Sequence, residues 1–132
     1  MTGGGGVVVV TAAPPVDAAR LAETLRPYLD DSAVEVRVAP AVAPGELRAQ
    51  LAGLRDTGVD WRALAAIRVS QSDARTLEIQ LVDLVSDKTL VASVPAVAHE
   101  ADRYRVLALK IQGLLRSAFY EAVTTSTATP TV

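Results

Sequence analysis

The sequence predicts an α/β domain, and three observations lead there. The β-branched run Val7–Thr11 lacks polar alternation, so it reads as a strand covered on both faces. The segments after it switch between the helical period and the two-residue period in the order β-α-β-α-β-β-β-α. A long apolar stripe from Glu100 to about Val123 then closes the chain as a helix that packs on a mixed sheet.

Each element follows from local pattern. Met1–Gly6, with its four consecutive glycines, precedes the first strand, and no Lys follows it, so it reads as a flexible lead rather than a phosphate loop. Ala12-Ala13-Pro14-Pro15 ends the first strand. Asp17 is a suitable N-cap for a helix whose buried face is Ala18, Leu21, Ala22, Leu25, Tyr28 and Leu29. Pro27 belongs to its last turn and should kink or end it. Asp30-Asp31-Ser32 is a loop, and Val34, Val36 and Val38 alternate with Glu35 and Arg37 as a half-buried strand.

Pro40 to Pro44 breaks the chain again. Glu46 to about Arg55 is a shorter helix with the seam Leu47, Leu51 and Leu54, stopped by Thr57-Gly58. Two strands and two helices in alternation imply a parallel βαβ unit of right-handed sense. Leu64–Ser70 then reads as a strand ending in a turn at Gln71-Ser72-Asp73, although Trp61, Leu64, Ala65 and Arg68 also fit a helix. Leu77, Ile79 and Leu81 mark the next strand, and the slip in alternation at Val82 suggests a bulge. A turn at Ser86-Asp87-Lys88 leads to a last strand, Leu90–Val94, closed by Pro95. In the final helix Tyr104, Leu107, Ala108, Ile111, Leu114, Leu115, Ala118 and Ala122 share one face. Thr124–Val132 reads as a disordered Thr-rich tail, which leaves 7–123 as a single domain.

Composition limits the chemistry. The chain has 132 residues, no Cys and one His. That removes disulfides, thiol nucleophiles, Cys-ligated metals and any site needing two imidazoles. A net charge of −2 lacks the basic excess of a nucleic-acid binder. Half of the residues are hydrophobic and the mean hydropathy is +0.28, yet no apolar run approaches the roughly 20 residues of a membrane helix. No secretory signal opens the chain. A cytoplasmic location is the expectation, with an envelope domain that has lost its signal peptide as the alternative.

The element order, with a late meander and a long closing helix, resembles the N-terminal domain of the TolB family. Its relatives include the penicillin-binding-protein activator LpoB and the curli secretion protein CsgG. A hairpin in that group reads apolar-Asp-apolar-x-Thr-Gly-x-x-apolar, and Val82-Asp83-Leu84-Val85-Ser86-Asp87-Lys88-Thr89-Leu90-Val91 is similar in outline. Ser86 replaces the Thr, and Asp87 stands where the Gly would be. Asp tolerates the left-handed conformation such a turn needs. The resemblance implies a non-enzymatic module that binds partner proteins, with no catalytic residue to carry over.

Sites for chemistry are few. His99, beside Glu100 and Asp102, has no second imidazole and reads as a surface residue. Asp30 and Asp31 read as a polar turn, and Asp83 as a hairpin residue. No nucleophile elbow exists. The arginines, Arg68 among them, are dispersed among acids and read as a solvated shell.

The last helix carries the functional expectation. Val106, Leu109, Gly113 and Tyr120 gather on the side opposite its main face. A helix of about 33 Å should also overhang strands of about 23 Å, leaving Phe119, Tyr120 and Val123 partly uncovered. The expected interface is therefore Val106, Leu109, Gly113, Phe119, Tyr120 and Val123. The expected function is a non-enzymatic interaction, assembly or accessory module that docks a protein partner or a second copy through this helix. No cofactor, metal or catalytic residue is expected. The alternative is a small-ligand or nucleotide binder using the loops at the carboxyl ends of the parallel strands. That reading requires a concave polar site near Thr11, Ala39 and Ser70.

Overall fold

Val8 and Val10 point to one side of their strand and Val9 to the other, and all three are completely buried. The first strand, β1 (Gly6–Ala12), therefore needs cover on both faces, and the rest of the chain supplies it. The computed structural model describes residues 6–29, 34–41 and 45–128, with 119–128 described as backbone only. After β1 come α1 (Ala18–Leu29), β2 (Val34–Val38), α2 (Leu47–Asp60), β3 (Ala65–Asp73), β4 (Thr76–Asp83), β5 (Lys88–Pro95) and α3 (Glu100–Ala128). This is the α/β order that the sequence predicts. The lead before Gly6, the Asp30-Asp31-Ser32 loop and Pro130 in the tail lie outside the described residues.

The five strands form one sheet in the order β2-β1-β3-β4-β5. β1 pairs in parallel with β2 and β3, whereas β4 and β5 are antiparallel additions. The helices take opposite faces. α1 and α3 cover Val8, Val10, Ala65, Ile67, Leu77, Ile79 and Leu81, with Leu21, Leu25, Leu107, Ile111 and Leu115 as the helix side of that core. α2 covers the other face, where Leu54 sits on Ala66 and Val82. Each fully buried Leu or Ile side chain is worth roughly 1.5–3 kcal/mol, and the larger of these two cores carries most of them.

α1 and α3 are locked to each other by polar contacts as well. Asp17 caps α1, its Oδ1 accepting the Ala19 N–H at 3.0 Å. The Asp17 N–H in turn donates to the Tyr104 hydroxyl at 2.9 Å. Arg20 pairs with Glu100 and stacks on the Tyr104 ring, 5.0 Å from its centroid. At the other end of α1, the Gln112 side chain of α3 donates to the Tyr28 carbonyl at 2.8 Å. Pro27 lies within the last turn, as its position implied.

Several expectations are corrected. Gly6 is part of β1, and a Cβ there would stand 2.2 Å from Leu64 Cδ1. α2 does not stop at Thr57-Gly58 but runs to Asp60. Gly58 serves closeness instead, since a Cβ would approach Leu84 Cδ1 to 2.3 Å and Ala66 Cβ to 3.3 Å. Beyond the Trp61 cap, Arg62 turns the chain out of the helix with a left-handed φ of 54°, and the Ala63 N–H closes on the Gly58 carbonyl at 2.8 Å. Leu47 is no part of the seam and is 49% exposed; in the first turn of α2 it is Gln50, not Leu47, that reaches the sheet, through Gln80. β3 continues to Asp73, with a register irregularity between Gln71 and Asp73 in its pairing with β4. β4 pairs with β5 without a slip; Val82 is simply buried on the α2 face. α3 continues through 124–128, where the tail was expected to begin.

Candidate functional site

α3 is the first place to look. It has 29 residues, about 43 Å at 1.5 Å per residue, against about 30 Å for the nine residues of β3. Its buried face is Tyr104, Leu107, Ala108, Ile111, Leu115 and Ala118. On the outer side Leu109 is 48% exposed, and a Cβ at Gly113 would meet nothing within 4 Å. Ser117, one turn further on, is also exposed. Val106 is placed differently from its helical projection: it is half-buried and packs against the main core. The side chains of Phe119, Tyr120 and Val123 lie outside the described residues.

The second place is under the amino end of α2. Register puts Thr11 of β1 beside Arg68 of β3, and Arg68 beside Gln80 of β4. All three side chains belong to the α2 face and are buried, Thr11 to 0%, Arg68 to 6% and Gln80 to 1% exposure. Gln80 fixes the direction, since its Nε2 donates to Gln50 Oε1 of α2 at 2.9 Å and to Glu78 Oε1 at 2.8 Å. Thr11 Oγ1 and Gln80 Oε1 have no hydrogen-bond partner. The Arg68 side chain makes no hydrogen bond or ion pair within the described residues. Next to Thr11, the Ala39 N–H donates to the Val10 carbonyl at 3.0 Å, and Ser70 lies two residues beyond Arg68 on the same face.

Arg68 corrects the expectation of a fully solvated arginine shell. Its burial was legible in Ala65-Ala66-Ile67-Arg68-Val69, because apolar residues on both sides of the strand mean cover on both faces. Gln80 carried no such signal.

The remaining candidates are polar structure. Asp83 is fully buried, and its Oδ1 accepts from the Val85 and Ser86 N–H groups at 2.9 and 3.3 Å. Its Oδ2 accepts from Ser86 Oγ at 2.5 Å. Asp87 has φ 59°, the left-handed turn position expected of it, and its carboxylate pairs with Arg55 of α2. His99 is exposed at the start of α3. Among the described residues, no three His, Cys, Asp or Glu side chains gather as metal ligands.

An open groove of about 490 Å³ follows the β2 edge, between Arg26, Val36, Val38 and Trp61. Its charged side chains are already engaged. The Glu35 carboxylate is held below its ordinary pKa by the hydrogen bond from Arg37, which raises that of Arg37 in return. Arg26 donates to the Val36 carbonyl at 3.2 Å. No described helix is long and apolar enough to cross a membrane.

No protein-family model matches the chain, and no curated protein matches it. Among solved structures it is similar to protein VC0702 from Vibrio cholerae, at 8% identity with a TM-score of 0.42. The similarity covers 68% of this chain and 58% of that one.

Proposed function

We propose that the chain is a non-catalytic interaction module that assembles through the outer side of α3, in the first instance with a second copy of itself. The observation that carries the reading is the exposed ridge Leu109–Gly113–Ser117. Leu109 is 48% exposed, Gly113 leaves open space around its Cα, and the three residues repeat every fourth position. A ridge at that spacing fits the groove of a second helix, and small residues let the two backbones approach closely. The hairpin resemblance, which implies a partner-binding module, is of the same class.

Light scattering across a concentration series tests the reading. The native chain forms dimers or larger particles. Leu109→Glu keeps the native far-ultraviolet circular dichroism and weakens assembly by about tenfold or more, the effect of roughly 1.4 kcal/mol or more lost from the interface. A native chain that stays monomeric at the highest concentration refutes it.

A further inference from the structure

The row of Thr11, Arg68 and Gln80 is electrostatically incomplete. A guanidinium is a permanent cation, and a buried cation is disfavoured unless an anion or a set of acceptors meets it. Arg68 is 6% exposed and has no such partner within the described residues. Glu78 stands on the same face of the neighbouring strand, but its Oε1 accepts from Gln80 and no ion pair joins it to Arg68. The buried atoms Thr11 Oγ1 and Gln80 Oε1 are unpartnered as well. Three adjacent strands therefore present unmet bonding capacity on a single row.

Three features identify what is missing. The first is charge. Gln50, in the first turns of α2, touches Gln80, so the amino end of that helix lies over this part of the sheet. Its first turn has no acidic residue, and Glu46 makes no side-chain cap bond. The positive end of the helix adds to the charge of Arg68.

The second is place. β1 connects through α1 to β2 on one side, and β2 connects through α2, on the opposite face, to β3 on the other side. The gap between β1 and β3 is thus the switch point of the parallel strands, where open α/β sheets take ligands. Thr11 and Arg68 flank that gap near the carboxyl ends of the parallel pairing.

The third is bonding type. A guanidinium fork matches a carboxylate or phosphoryl group through two parallel hydrogen bonds. The Thr11 hydroxyl can add a donor. Gln80 Oε1 can only accept, so it requires a donor next to the oxyanion, and beside the Arg68 cation a neutral hydroxyl suits that place better than an ammonium group.

We propose that Arg68, Thr11 and Gln80 bind a small organic oxyanion, a carboxylate or a phosphate monoester, that carries a hydroxyl group beside it. The proposal goes beyond assembly and uses no residue of α3.

The test titrates the full chain with glycolate, glycerol phosphate and acetate up to about 10 mM, tenfold above a weak millimolar site. Binding is followed by thermal melting and by the Arg68 Nε–H resonance. Glycolate, glycerol phosphate or both raise the melting temperature and move that resonance; which of them does so separates a carboxylic acid from a phosphate ester. Acetate, lacking the hydroxyl, binds about tenfold more weakly than glycolate because Gln80 Oε1 stays unmet. Thr11→Val weakens binding by roughly tenfold or more. Arg68→Met abolishes it and, without ligand, melts at or above the native temperature, since an apolar side chain of similar volume replaces an uncompensated charge. The proposal is overturned if neither hydroxylated probe acts on the native chain, or if Arg68→Met binds like the native chain. It is equally overturned if Arg68→Met is destabilised or unfolded without ligand, because the guanidinium would then have its partners within the protein.

Discussion

Asp83→Ala should be among the most damaging single changes that spare both hydrophobic cores. The Asp83 carboxylate is fully buried and accepts three hydrogen bonds, from the Val85 N–H, the Ser86 N–H and Ser86 Oγ. Alanine removes all three and strands their donors in the turn between β4 and β5. At about 1 kcal/mol for each bond, less what water regains at the part-buried turn, the loss is about 2–3 kcal/mol. For a chain of this length that is roughly 6–12 °C in melting temperature. Asp83→Asn keeps an oxygen acceptor but not the charge and should lose about half as much. Urea unfolding followed by circular dichroism measures both. An Asp83→Ala loss under about 0.5 kcal/mol would refute the reasoning, because the turn would then stand without its carboxylate.

Other outcomes follow from packing and charge. Leu54→Ala should cost about 2–5 kcal/mol and Leu47→Ala less than about 0.5, although helical spacing treats the two alike; chemical denaturation separates them. Gly58→Ala should destabilise by about 1–3 kcal/mol despite alanine's better helix propensity, because the added methyl collides with Leu84 and Ala66; thermal melting checks the sign. Glu35 has a lowered folded pKa, so its pair with Arg37 adds stability above the ordinary glutamate pKa and loses it as the pH falls through the folded value. Melting of the native chain and Glu35→Gln between about pH 6 and pH 3 should converge at the acid end, and about 1 M salt should erase their difference throughout.

Much of the fold was legible because its main elements are periodic. Leu21, Leu25, Leu107 and Ile111 fall at helical spacing, so their burial follows from position; Val34, Val36 and Val38 alternate and give the strand, but only Val36 is buried. Other features depend on neighbours distant in sequence. Gly58 looks like a helix stop until Leu84 is placed against it. Val82 looks like a slip until α2 covers the second face of β4. Leu47 fits the seam on paper, yet in the first turn of α2 the contact with the sheet is made by Gln50 and Leu47 stays half-exposed. At the candidate sites, Leu109 and Gly113 could be placed from a helical wheel alone. Val106 could not, since its packing depends on how α3 lies on its neighbours. Arg68 gave its burial away through its apolar flanks, but its lack of a partner emerges only when Thr11 and Gln80 stand beside it.

The clasp between the first and last helices sets an order on synthesis. A ribosome delivers β1 and α1 early, yet the roof over Val8, Val10 and Ile67 needs α3, and the Asp17–Tyr104 and Tyr28–Gln112 bonds span 87 and 84 residues. Until the final third of the polypeptide has emerged, that greasy surface stays open, so the nascent protein depends on whatever shields it in the meantime.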